Sequence, residues 1–184
     1  MYEIKSDTIP WTKFRLLEMD DFKLEPPQIS KIGTEKITAN TVCSIDPRIL
    51  PTPCSETEYI INYEIFELFH CSKSFLRKYL GEDNPHHKIL KHEQGHFDIC
   101  EEHCRHLRKK LELEIKGKKF LFEGDTEKEK KLNADKNAKI IFDLAITENV
   151  KCKKTGELYD EETHHGVNRD KQTKYDERFD KLRE

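Results

Sequence analysis

Apolar residues alternate with polar ones along two stretches near the front of the chain. Between Lys31 and Ile45, Ile37, Ala39, Thr41, Cys43 and Ile45 point one way, and Lys36, Thr38 and Asn40 the other. That is the period of a half-buried strand. A second strand is expected from about Glu58 to Phe69, with Tyr59, Ile61, Tyr63 and Ile65 on one face. The apolar frame then slips to Phe66 and Leu68, which predicts a bulge or a twist. Pro47, Pro51 and Pro53 between the two runs predict an extended loop. Together the runs read as an antiparallel pair.

The period changes after Cys71. Ser72 or Ser74 is placed to cap a short helix through Tyr79, ended by Gly81. Asn84-Pro85 then opens a long helix, roughly His86 to Ile115, whose Ile89, Phe97, Cys100, Cys104, Leu107 and Leu111 fall within one sector. Lys116 to Lys139 is so highly charged that a solvated helix or a mobile excursion is expected there. Lys139 to Ile146 is apolar enough to dock on the core, and Tyr159 to Leu182 turns helical after Gly166. Strands first and helices after predict a single α+β domain over residues 1–184. A small N-terminal antiparallel sheet would pack on the long helix, with further helices following it and a charged insert at about 116–139.

Composition narrows the function classes. Of 184 residues, 35% are hydrophobic and 38% charged, with a net charge of −3. So balanced a surface gives no electrostatic footprint for nucleic acid. No apolar run approaches the roughly 18 residues that span a bilayer. The first residues lack the apolar stretch of a secretory leader, so the chain as it stands reads as cytoplasmic. Six cysteines form no CxxC pair; buried free thiols are expected, with a Cys43–Cys54 disulfide as the alternative.

The chemistry lies in His92-Glu93-Gln94-Gly95-His96, an HExxH sequence inside the long helix. Residues four apart share a helix face, so both imidazoles can reach one Zn²⁺. Glu93 can face the water on the metal, take its proton as attack begins and deliver it to the leaving amine. Gly95 costs the helix about 1 kcal/mol relative to Ala, which makes sense if something packs closely there. The extended HExxHxxGxxH form is not followed, since Ile99 and Glu102 stand at its later positions. His103 shares the stripe but lies seven residues past His96, about 10 Å along the axis, too far to share the ion. His70, His86, His87 and His106 read as surface residues. A third ligand is therefore sought in Tyr159-Asp160-Glu161-Glu162-Thr163-His164-His165-Gly166. There one histidine can ligate while Tyr159 donates to a developing oxyanion.

These residues resemble a known family, the bacterial predicted secreted zinc-dependent proteases, catalogued as a domain of unknown function. The likeness is carried by Ile89 to Ile99 with its HEQGHFDI core, and by Arg105-His106-Leu107-Arg108. Further matches are Trp11-Thr12-Lys13-Phe14, Ser74-Phe75, Tyr159-Asp160 and Thr163-His164-His165-Gly166. The family pattern is Tyr-Asp followed by Thr-x-His-Gly, so the histidine carried over is His165. The resemblance implies a zincin-like peptidase with one zinc ion held by His92, His96 and His165, Glu93 as base, and a secreted or periplasmic location if a leader was removed. The expected function is hydrolysis of peptide bonds in a peptide or protein substrate. The alternatives are a non-catalytic zinc-binding interaction module, and an amidase or peptidase acting on cell-wall peptide stems.

Overall fold

The computed structural model describes residues 7–25, 39–77 and 86–184. Its backbone is a long hairpin ladder, β3 (Cys43–Pro53) against β4 (Glu58–His70), preceded by the short strands β1 (Thr8–Pro10) and β2 (Ala39–Asn40). The order in the main sheet is β1-β4-β3, all antiparallel, with β6 (Lys119–Leu121) also on β4. β2 pairs separately with β5 (Phe75–Leu76).

The β3–β4 register runs unbroken from Cys43↔Phe69 to Pro53↔Tyr59. Two expectations are corrected here. The three prolines are not in a loop but in β3, an edge strand, where a residue without an N–H costs least. The apparent slip near Phe66 is no bulge. Tyr59, Ile61, Tyr63, Ile65 and Phe69 keep the inward face, and Glu67 occupies the one inward slot between them as a buried carboxylate. Phe66 lies on the outer face, with the Arg48 guanidinium 4.4 Å from its ring centroid. A Cys43–Cys54 disulfide is ruled out because the whole of β3 lies between those residues; both are free thiols.

Helix α1 (His86–Glu114) lays Phe97, Cys100, Cys104, Leu107 and Leu111 against this face, all buried. The stripe agrees with the sequence reading. The chain turns out of α1 at Gly117, whose φ of 72° favours glycine. Of the two alternatives for the charged segment, the solvated helix is found from Glu127 on, where most positions are exposed, while the residues before it dock on the sheet. Phe120 and Phe122 stack on Tyr59, at 5.5 and 4.7 Å between centroids. Thr126 and Glu129 then form a capping box that starts α2 (Glu127–Thr163).

α2 is one 37-residue helix. Its buried side carries Ala134, Ala138, Ile141, Ala145, Gly156, Tyr159 and Thr163, mostly small residues that allow close approach to α1 and β3. Asn149 reaches from this helix to the β3 edge, accepting from the Ile45 N–H at 2.8 Å and donating to its carbonyl at 2.9 Å. That covers edge groups which would otherwise be free to pair with another strand. Helix α3 (Arg169–Asp180), capped by Asn168, closes against α1 and α2, and its position agrees with the helix expected after Gly166.

Near the middle of α1, Trp11 Nε1 donates to Asp98 at 2.8 Å, Gln94 donates to the same oxygen, and Arg183 pairs with it. This buried carboxylate ties both ends of the described chain to the HExxH helix. The short helix expected through Tyr79 is a 3-10 turn, Cys71–Lys73, followed by β5; its Gly81 end and the Asn84-Pro85 start of α1 lie outside the described residues. No helix of the described residues is long and apolar enough to cross a membrane.

Candidate metal centre

His92 and His96 lie one turn apart on α1, and their Nε2 atoms converge on a single acceptor. Each is 2.9 Å from Oδ1 of Asp160, which sits on the last turn of α2. Ligand atoms of these three residues lie within 4.8 Å of one another. A tetrahedral shell with bonds of about 2.0–2.2 Å separates neighbouring donors by roughly 3.3 Å. The two histidine–aspartate separations therefore need to open by only a few tenths of an ångström to hold Zn²⁺.

Glycines make this convergence possible. A Cβ on Gly95 would lie 2.3 Å from the Tyr159 hydroxyl, so the close neighbour that the sequence implied is Tyr159. Its ring stacks on His92, with centroids 4.5 Å apart and planes 12° from parallel, and meets His96 edge-on. A Cβ on Gly156 would lie 3.2 Å from His96 Nδ1. The two imidazoles are thus wedged between helices that approach at small residues.

The electrostatics follow from this packing. Burial alone would lower the His96 pKa, but the Asp160 hydrogen bond and the charges of Glu93 and Asp160 outweigh it and raise it above its ordinary value. Burial would raise Asp160; hydrogen bonds from His92 and His96 prevail and hold its carboxyl well below the usual range. Glu93 is 6% exposed, and among the described residues its Oε2 is buried with no hydrogen-bond partner. Leaving a buried carboxylate oxygen unpaired is expensive, so its presence beside these donors points to a group it is meant to meet.

The other expected site residues fall differently. His164, His165 and Gly166 all have positive φ, at 48°, 52° and 82°, and turn the chain sharply out of α2. His165 is left at the rim, its side chain 72% exposed and its Nδ1 3.5 Å from Asp160 Oδ1. The third donor that meets His92 and His96 is Asp160, one of the carboxylates in the stretch where the third ligand was sought and an alternative there to His165 and His164. Tyr159, expected to donate to an oxyanion, is fully buried behind His92. Its hydroxyl donates to the His92 carbonyl at 3.2 Å and accepts from Gln172 at 2.7 Å, and burial raises its pKa far above that of a free phenol. His103 is engaged elsewhere, by Glu148 and Thr155. His86, read as a surface residue, is buried against the Arg77 carbonyl.

Two further neighbours carried no sequence signal. Gln172 on α3 reaches the back of His92, and Asp176, one turn further along α3, accepts from Gln172 at 2.8 Å and pairs with Lys91 at 2.6 Å. The small-residue spacing from Ala134 to Gly156, continued to Tyr159 and Thr163, was the available clue that Asp160 lies on a helix. Searches against protein-family models, curated proteins and solved structures return no match for the chain.

Proposed function

We propose that this chain is a zinc-dependent metallopeptidase that hydrolyses peptide bonds. One observation carries the reading: two imidazoles and a carboxylate on facing helices converge within bonding reach of one ion, beside a buried carboxylate oxygen that has no partner. The donor set suits zinc, with three protein ligands and room for water. The resemblance of the HEQGHFDI segment to zinc-dependent proteases agrees with it.

His92 Nε2, His96 Nε2 and Asp160 Oδ1 would hold the ion. When bound, Zn²⁺ supplies the Lewis acidity that acidifies a water and polarises the scissile carbonyl. Glu93 accepts the proton of the attacking water on its carboxylate and passes it to the amide nitrogen as the C–N bond breaks. Tyr159 holds the His92 ring in place from behind. His165 stands at the rim, where it can contact a peptide or approach as a further donor.

Purified protein is expected to carry about one zinc and to cleave a denatured protein such as casein. Glu93→Gln should keep the metal and lose roughly 10²–10⁴-fold in cleavage rate. A Glu93→Gln protein that cuts as fast as the parent would overturn the mechanism.

A further inference from the structure

We propose that Gln172 is a positioning residue that sets the tautomer of His92, and that Asp176 dictates which way the Gln172 amide faces. This rests on the metal reading above and adds to it a requirement the ligands alone do not impose.

The deduction starts at the surface and moves inward. Asp176 is ion-paired with Lys91 through Oδ2, and its Oδ1 lies 2.8 Å from Gln172 Nε2. An ionised carboxylate only accepts hydrogen bonds, so the amino end of the Gln172 amide must face it. The same amino group donates to the Tyr159 hydroxyl at 2.7 Å, and that hydroxyl's own hydrogen lies within reach of the His92 carbonyl at 3.2 Å and Gln172 Oε1 at 3.1 Å, two groups that only accept. Gln172 Oε1 is then the end that meets His92 Nδ1, at 3.2 Å. A carbonyl oxygen also only accepts, so Nδ1 must carry a hydrogen. Without metal, His92 Nε2 also carries a hydrogen and donates it to Asp160; once zinc takes that hydrogen's place, the hydrogen kept on Nδ1 makes Nε2 the lone-pair atom of the neutral ring.

Were the amide reversed, its amino group would meet Nδ1 and favour the tautomer with hydrogen on Nε2, which cannot ligate. Outer partners of this kind typically contribute 10–100-fold to metal affinity. All three helices take part: Lys91 and His92 from α1, Tyr159 from α2, Gln172 and Asp176 from α3.

The test is zinc affinity by chelator competition, with thermal melting of the metal-free proteins as the folding control. Gln172→Leu, which has no acceptor, should lose about 10–100-fold in zinc affinity. The double variant Gln172→Glu with Asp176→Asn exchanges acceptor and donor between the two positions but still offers His92 Nδ1 only an acceptor; it should recover most of that loss. In the zinc-loaded parent, the His92 Nδ1 hydrogen should give a downfield proton resonance protected from exchange, lost in Gln172→Leu. Gln172→Leu binding zinc like the parent, or a double variant no better than Gln172→Leu, would overturn the proposal while leaving the metal reading intact. A folded parent that takes up no zinc would overturn both.

Discussion

Among the described residues, two trios of potential ligand residues lie along α1, and they have opposite characters. In each, the donor atoms fall within 4.8 Å of one another: His92, His96 and Asp160 in one, Glu67, Glu101 and Cys104 in the other. The second trio is the more deeply buried, yet its cation is already covalently part of the chain. Arg108 reaches Glu67 at 2.5 Å and Glu101 at 3.1 Å and also donates to the Ile65 carbonyl, while Arg105 pairs with Glu101 at 2.5 Å. Burial, with the neighbouring Glu67 charge, pushes the Cys104 thiol up, so it offers a hydrogen rather than a thiolate. Among the described residues the first trio has no lysine or arginine paired with it, and an unpaired Glu93 oxygen lies beside it. Proximity of donors is therefore not what marks a metal centre. On the reading proposed above, the distinguishing feature is whether the protein has already supplied the positive charge.

The sharpest way to break this contrast is to remove one member from each trio. Asp160→Ala deletes a proposed ligand and should lower zinc affinity by more than roughly 100-fold, beyond what outer partners contribute, as read by chelator competition. Zinc affinity equal to the parent's would remove Asp160 from the site. Arg108→Ala should leave metal uptake at the first trio unchanged and cost about 3 kcal/mol of stability, because it takes the guanidinium paired with buried Glu67 and one of the two paired with buried Glu101. Denaturant unfolding measures it, and a loss below about 1 kcal/mol would show that the guanidinium is not the stabilising cation.

The second trio also has a pH signature. Burial raises the Glu67 pKa to about 7; the Cys104 contact and the Arg108 charge work against the shift, and the Glu101 charge reinforces it. Because the folded protein then binds the proton more tightly than the unfolded chain, stability should fall as pH rises from about 4.5 to 7, by up to about 3 kcal/mol. Glu67→Gln should flatten that part of the melting-temperature profile. A parent profile that rises steadily over this window would contradict the shift.

The smallest effect is expected at the rim. His165→Ala should change zinc affinity by less than about tenfold, below the range of outer partners. A loss matching that of Asp160→Ala would make His165 a ligand of equal standing.

Strong local patterns were legible in the sequence. The inward face of β4, the buried stripe of α1 and the HExxH pair each repeat a period that only one element satisfies. Departures from the pattern carried the errors. Glu67 in a core slot looked like a register slip, because a carboxylate there is expected only with a partner, and Arg108 is 41 residues away along the chain. Three prolines looked like a loop because their tolerance on an edge strand depends on which side is unpaired. α2 was broken into pieces because its buried side is built of alanines and a glycine, too weakly apolar to stand out among charges. Asp160 was obscured by that misreading: placed on a loop it is one carboxylate among several, whereas on the final turn of a helix it faces the two imidazoles. Gln172 had no signal at all, since a lone amide acquires meaning only from the histidine and carboxylate it bridges.

Crystals of the parent grown with zinc, with diffraction collected on both sides of the zinc absorption edge, test the central claim most directly. One anomalous peak is predicted within bonding distance of His92 Nε2, His96 Nε2 and Asp160 Oδ1, with none between Glu67 and Glu101. A peak at the arginine-filled trio, or no peak between the two imidazoles, would contradict it.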